Sequence, residues 1–385
     1  MPNLSRRQAT RLLGISTIAA AGLLAGCDNT PSVIKIGVAQ PMTGNLASLG
    51  QDMHNGVKLA VDELNKGGFK IKGKPVLLEV VSVDDRANAD TGKQVAQQLV
   101  DAGVVAVIGH LNSGVSIAAA PIYAAKNISQ LAISTNPKYT DLGLPTTFRL
   151  VGNDTLQAKA IGSFAAGQMA ATKLAVVDDG TPYGKGLAEG AAAELKKAGK
   201  EIAIRQTFDD KTTAFDELAG KLKEANVDSA VVILNDFQVV ALLESLKKVD
   251  YSKIKILGGD LIKTTTMLKG AGLVQGLYAT SPILDAKEFP AGAKFLASYQ
   301  AAYKMEPAYG GHYSYDAMHV LASAIKRSES ANPKVIMETL RAIDGYAPVT
   351  GSMKFDAKGE QRYGVISVYT ARGGGWDSLV RSDSW

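Results

Sequence analysis

From Val33 onward, short β-branched runs alternate with longer segments whose apolar residues recur at helical spacing. The first run is Val33-Ile34-Lys35-Ile36-Gly37-Val38; in the segment 56–65 that follows, Val57, Ala60, Val61 and Leu64 share one helical face. The pattern predicts strands over 76–83, 104–108 and 131–134, with helices around 94–101 and 115–125 between them. It then begins again with strands over 173–178, 202–208, 230–234 and 254–258 and helices over 184–197, 215–225 and 238–248. Strands separated by helices of about ten or more residues imply parallel βαβ units with right-handed crossovers. Beyond Gly276 the pattern is mixed, with strands over 277–281 and 365–369 and helices near 291–303 and 315–328. The two series predict an α/β protein of two doubly wound, Rossmann-like lobes. Only 150–154 separates the series, which suits short hinge strands better than a flexible linker.

The residues before this alternation have a different character. Arg6, Arg7 and Arg11 precede an apolar stretch, 12–25, with no acidic residue before Asp28. That is the layout of a secretory signal, and it is too short to span a bilayer. The stretch ends in Leu23-Leu24-Ala25-Gly26-Cys27, and Cys27 is the only cysteine of the chain. These small residues before a cysteine resemble a bacterial lipoprotein cleavage box, which predicts removal of 1–26 and lipidation of Cys27. The alternative is an ordinary signal with an incidental cysteine. Ser5-Arg6-Arg7-Gln8 resembles part of a twin-arginine signal without the Phe that usually follows, so both export routes stay open. Each buried CH₂ contributes about 0.8 kcal/mol, so two or three acyl chains hold a protein where one does not. The mature protein is expected in the periplasm or at the cell surface, held to the membrane through lipid alone.

Removal of 1–26 takes away three arginines and no acid, leaving 39 basic against 37 acidic side chains. The overall pI of 8.9 is therefore partly a property of the leader. Near-neutral charge with no basic block of five gives no footprint for nucleic acid. With 46% hydrophobic residues over 385 positions, the chain exceeds a single core of about 250 residues and needs no disulfide to bury enough apolar surface.

In an open parallel sheet, ligands bind beyond the carboxyl ends of the strands, where helix amino termini present free N–H groups. The corresponding loops here are 40–50, 84–86, 109–114, 134–137, 178–186, 235–237 and 258–260, rich in Gly, Ser, Thr, Asn, Asp and Tyr. Such groups suit a polar small molecule. Enzyme signatures are weak. No GxGxxG follows the first strand, Gly180-Thr181-Pro182-Tyr183-Gly184-Lys185-Gly186 lacks the spacing and the Ser/Thr of a P-loop, and no GxSxG is present. The histidines at 54, 110, 312 and 319 have no metal spacing, so neither metal nor cofactor is expected. The loop 109–114 follows an apolar strand and precedes a helix, so Ser113 and adjacent N–H groups can form an anion site; a plain helix cap is the alternative. Asp260, from the other series, can offer the opposite charge, or be a solvated turn residue. One anion site and one carboxylate on opposite lobes suit a zwitterion.

Several segments then resemble a known family in order and spacing: Ile36-Gly37-Val38 to Pro41-Met42-Thr43-Gly44, Gly50, Gly56 to Asn65-Lys66-Gly67-Gly68, Asp84-Asp85, Val107-Ile108-Gly109-His110-Leu111-Asn112-Ser113, Asn136-Pro137 with Thr140, Asp179 to Tyr183-Gly184, and Gly351 with Phe355-Asp356-Gly359. From Val33 to Trp385 the chain resembles type I periplasmic substrate-binding proteins of the leucine/isoleucine/valine-binding class, which deliver ligand to an ABC importer. The resemblance implies three hinge crossings, near Gly152, Pro282 and Gly351. Lobe one is then 33–153 with 283–351, and lobe two 154–282 with 352–385. It implies that Ser113 binds a ligand carboxylate, Thr135 stands near the ammonium, Tyr183 closes over the ligand and Asp260 pairs with the ammonium. Leu49 falls where the family usually has an aromatic, and Asn235 where many members have a tyrosine. The loop 133–137 is about three residues short, so Ser134 is the candidate for the carbonyl that meets the ammonium. The cysteines some relatives bridge near Ala87 and Asn112 are absent. A monomeric, non-enzymatic receptor for a branched-chain or related amino acid, partnered by permease subunits, is the implied function. Receptors for amides, urea, or short-chain or aromatic carboxylates are the runner-up, and an enzyme or a peptidoglycan-associated lipoprotein is the rival class.

Overall fold

The computed structural model describes residues 30–382; the leader and Cys27 lie outside the described residues. The first sheet contains β1 (Val33–Gln40), β4 (Leu77–Asp84), β5 (Ala106–Gly109), β6 (Ser129–Ala132) and β7 (Thr147–Arg149), after a small hairpin of β2 (Lys70–Ile71) and β3 (Lys74–Pro75). Its order is β4-β1-β5-β6-β7, all parallel. The chain reverses direction across the sheet between β1 and β5, which puts helices on both faces. Both faces being covered, Ile36, Val38, Ile108 and Leu131 are all buried, and each contributes about 1.5–3 kcal/mol of transfer free energy.

The second sheet contains β8 (Lys173–Asp178), β9 (Glu201–Thr207), β10 (Ser229–Ile233), β11 (Lys255–Gly258) and β12 (Gly276–Ser281) in the order β9-β8-β10-β11-β12, again parallel. The pair β15 (Ser367–Arg372) and β16 (Gly375–Arg381) extends it antiparallel beyond β12. The hairpin of β13 (Asp344–Ala347) and β14 (Gly351–Lys354) packs on the helix Gly311–Ser328, where Asp316 accepts from the backbone N–H of Val349 and Thr350.

The helix expected over 56–65 runs Ala47–Lys66. Its glycines explain the difference. A Cβ on Gly50 would stand 2.0 Å from the Pro41 carbonyl oxygen, and one on Gly56 would stand 1.9 Å from that of Gly311. These glycines serve close packing inside the helix, against their ordinary helix-breaking tendency. Three connections join the lobes. The first is 150–153, between β7 and the helix Asp154–Ala166; the second follows β12. The third lies later than the Gly351 expected. Phe355 packs edge-on against Phe148 at 5.0 Å and Glu360 pairs with Arg149, so the chain stays with the first sheet to about Glu360 before reaching β15.

Candidate functional site

The carboxyl ends of β5 and β6 face those of β8 and β11 across the seam between the lobes. There Leu111, Asn112, Ser113, Ile133, Thr135, Tyr183, Asp260, Leu261 and Tyr309 line a cavity of about 20 Å³. That volume holds about one water molecule. The lobes meet beside it: Asn136 donates from Nδ2 to the Pro182 carbonyl at 2.5 Å, and a Cβ on Gly186 would stand 2.6 Å from that Nδ2. This is a closed cleft.

One wall is acidic. Asp260 accepts from the Tyr183 hydroxyl at 2.9 Å, the Tyr309 hydroxyl at 2.6 Å and Gln157 Nε2 at 3.0 Å. These donors replace water around a buried carboxylate. Tyr183 reaches Asp260 because residue 259 is glycine; a Cβ there would stand 2.2 Å from the tyrosine hydroxyl. Burial first and the charge of Asp260 second push both tyrosine hydroxyls well above their ordinary pKa.

A second acid, Asp154, begins the helix Asp154–Ala166 and is buried. Neither of its carboxylate oxygens has a well-formed hydrogen bond. Burial first and the charge of Asp260 second push it up to about 8, and the Thr135 hydroxyl and Arg149 offset only part of this. In the free protein near neutral pH, Asp154 therefore holds a proton beside an acid wall prepared for a cation.

The opposite wall is the start of the helix Ser113–Ala124. Asn112 makes no capping hydrogen bond there, and its Oδ1 is buried without a partner. The plain-cap alternative therefore does not describe this terminus, whose first-turn N–H groups and the Ser113 hydroxyl face the cavity region. Ser113 Oγ also accepts from the Asn136 N–H at 3.3 Å. Behind this wall the buried Arg149 guanidinium fixes the loop after β6. It donates to the Ser134 carbonyl, to the Asn136 carbonyl at 3.0 Å and to Thr140 Oγ1 at 2.9 Å, and it grips Glu360 with two bonds at 2.9 and 3.1 Å.

The structure brings Ser113, Thr135, Tyr183 and Asp260 to one cavity. It places three other sequence-derived candidates outside that lining. Ser134 is buried behind it, with Oγ 2.6 Å from Ser116 Oγ and its carbonyl taken up by Arg149. Leu49 packs in the first lobe's apolar core. Asn235 caps the helix Asp236–Lys248, reaching Gln238 at 3.1 Å and Asp179 at 3.4 Å. Sequence reasoning did not single out Asp154, Gln157 or Tyr309. The only local signal was an acid and an amide three residues apart at the start of the second series.

The architecture matches known proteins. The model of a family described as periplasmic binding protein matches residues 33–375. The chain belongs to the periplasmic binding protein family. One relative is the Leu/Ile/Val-binding protein homolog 1 of Brucella melitensis, 31% identical over 92% of this chain and 94% of its own length. The branched-chain amino acid transporter substrate-binding protein LivJ of Streptococcus pneumoniae, solved in complex with isoleucine, superposes with a TM-score of 0.78 at 27% identity. That match covers 91% of this chain and 98% of LivJ. A solute-binding protein of an ABC transporter from R. palustris, solved with benzoate, superposes with a TM-score of 0.80 at 18% identity, covering 91% and 96% of the two chains. At that identity the likeness concerns the fold alone. The family's two-lobed, three-crossing architecture is the one described above. No helix among the described residues is long and apolar enough to cross a membrane.

Proposed function

We propose that this protein is an extracytoplasmic receptor of an ABC importer, tethered through lipid on Cys27, and that it captures an α-amino acid between its lobes. One observation carries the reading: an uncapped helix start with Ser113 faces Asp260 across one cavity, and a second buried acid, Asp154, stands close enough to feel the charge of Asp260. A carboxylate on the helix start and an ammonium on the acids satisfy both walls at once. Thr135 lines the same cavity. The apolar lining from Leu111, Ile133 and Leu261 suits an aliphatic side chain, in line with the isoleucine held by LivJ.

The mechanism is capture, with no bond made or broken. A cavity of about 20 Å³ admits no amino acid, so the lobes part to load and close to desolvate the ligand's charges. Each charged hydrogen bond then contributes about 1.5–3 kcal/mol net. The closed, liganded form is what permease subunits receive. A thermal-shift screen of amino acids and small carboxylates on protein lacking residues 1–27 tests the reading. Ligand at 100 times its dissociation constant stabilises by about 2.7 kcal/mol. A shift with amino acids and none with their deaminated analogues is the expected result; the reverse order refutes the amino-acid reading.

A further inference from the structure

A second cavity, far larger than the cleft, lies elsewhere among the described residues. About 820 Å³ lies where the lobe connections converge, lined by Leu150 and Val151 of the first connection, Pro282 of the second and residues 361–365 of the third. It shares no residue with the cleft cavity. The helix Asp154–Ala166 separates the two. At 100° per residue, Leu156, Lys159 and Ser163, which line the large cavity, fall on the face opposite Asp154 and Gln157, which serve the cleft. The large cavity is therefore on the rear side of the hinge.

Its chemistry is two-sided. Leu150, Val151, Leu284, Phe289 and Tyr313 form an apolar floor. Lys159, Arg362 and Arg381 bring three positive charges, against one acid, Glu194, which is paired with Lys197 at 2.7 Å. Lys159 and Arg362 enter no ion pair among the described residues. Leu156 and Tyr363, which are 38% and 55% exposed, leave apolar surface open at its walls. An apolar recess with unpaired cations at its edge selects a molecule with an apolar body and an anionic end.

We propose that this rear cavity binds an aromatic or medium-chain monocarboxylate, with its body on the apolar floor and its carboxylate on Lys159 and Arg362. The lining comes from both lobes, with Leu156 and Glu194 on one side and Tyr313 on the other. Parting the lobes at the cleft brings these rear walls together, so the site is largest in the closed form. Occupancy of the rear cavity then favours closure and tightens the cleft for its own ligand, and by reciprocity the cleft ligand tightens the rear site by the same factor. This coupling rests on the receptor reading; binding at the rear does not.

The test uses 1-naphthoate and octanoate as probes, titrated calorimetrically into the lipid-free full mature chain. The proposal expects saturable binding of at least one probe. Lys159→Ala with Arg362→Ala should weaken it about tenfold or more while leaving the melting curve intact, since both side chains are exposed. Ser113→Ala, which changes the cleft wall without touching the Tyr309–Asp260 bond, should leave probe binding in place, because a carboxylate seated in the cleft would respond to that change and one at the rear would not. No binding at millimolar probe, binding indifferent to the double substitution, or binding altered mainly by Ser113→Ala would each overturn the site. If probe binding meets these expectations but leaves the affinity for an amino acid unchanged, the coupling fails and the rear site stands. If no amino acid binds at all, the receptor reading fails separately.

Discussion

The hydroxyl of Tyr309 donates a 2.6 Å hydrogen bond to Oδ2 of Asp260, joining the lobes through one side chain from each. Tyr309 is held on the first lobe: its backbone N–H and that of Gly311 both donate to Asp52 at 2.8 Å, and Tyr299 donates to the same carboxylate. Asp260 follows β11 of the second sheet. The closed form thus has a latch of its own that needs no ligand. The latch also occupies one position on the acid that a ligand ammonium would approach.

Tyr309→Phe should therefore loosen the free protein. Removing one donor to a buried carboxylate costs about 1–3 kcal/mol, while Tyr183 and Gln157 stay on Asp260. Small-angle scattering of the ligand-free variant should give a larger radius of gyration than the parent, and saturating ligand should bring the two together. Equal radii without ligand would mean the bond does not govern closure.

Arg149 links the site to the third connection. Arg149→Met should destabilise the protein by about 3–5 kcal/mol, because Glu360 loses its partner and the Ser134 and Asn136 carbonyls lose their donor. Arg149→Lys should recover little, since an ammonium cannot reproduce a planar fork that serves four partners. Chemical denaturation measures both. A lysine variant as stable as the parent would show that charge alone suffices.

The site's legibility in the sequence followed the range of its contacts. Ser113, Thr135, Tyr183 and Asp260 each lie just beyond a strand's carboxyl end, a position that local hydrophobic pattern reveals. Tyr309 and Gln157 reach Asp260 from 49 and 103 residues away, and nothing local marks them. Asp154 looked like a connector residue because its burial depends on lobe packing. β7 was missed because three residues carry too little periodicity, and the Ala47–Lys66 helix began early because Gly50 and Gly56 pack against distant backbone. The third connection was placed too early because Phe355 and Glu360 are held by Phe148 and Arg149, partners about 200 residues away.

Cys27→Ser tests the anchor. On the proposed lipid tether, the mature protein without acyl chains should leave the membrane fraction or accumulate unprocessed, since two or three chains would supply nearly all its membrane affinity. Palmitate labelling with fractionation reads this directly. A serine variant held as firmly as the parent would rule out the lipid tether.

Asp154 should make both stability and binding depend on pH. Its folded pKa, about 8, is above its unfolded value of 3.8, so the stability it contributes is full below that unfolded value and declines as pH rises through about 8. The melting temperature of the free parent should fall over that window relative to Asp154→Asn, which removes the titration. Facing groups are Asp260, Thr135, Arg149, Tyr183 and Tyr309. An amino-acid ligand places its ammonium there and ionises Asp154, so binding below about pH 8 should release a proton and tighten about tenfold per unit of rising pH. Calorimetry in two buffers of different ionisation enthalpy counts the proton. Binding that releases none, with no pH slope, would place the ligand cation elsewhere.

The last expectation compares the two walls. For an α-amino acid, Asp260→Asn should weaken binding by about 2–5 kcal/mol, because a buried ammonium loses one of its counter-charges. Ser113→Ala should cost less, about 1–3 kcal/mol, since first-turn N–H groups of the same uncapped helix still hold the carboxylate. For the deaminated analogue the order should invert. With no ammonium to meet, the analogue gains when Asp260→Asn removes a buried negative charge, and it still loses a hydrogen bond in Ser113→Ala. Titration of both ligands into both variants separates an amino-acid receptor from a carboxylate receptor on one fold. If the amino acid binds Asp260→Asn as tightly as the parent, Asp260 serves the Tyr309 latch and not the ligand.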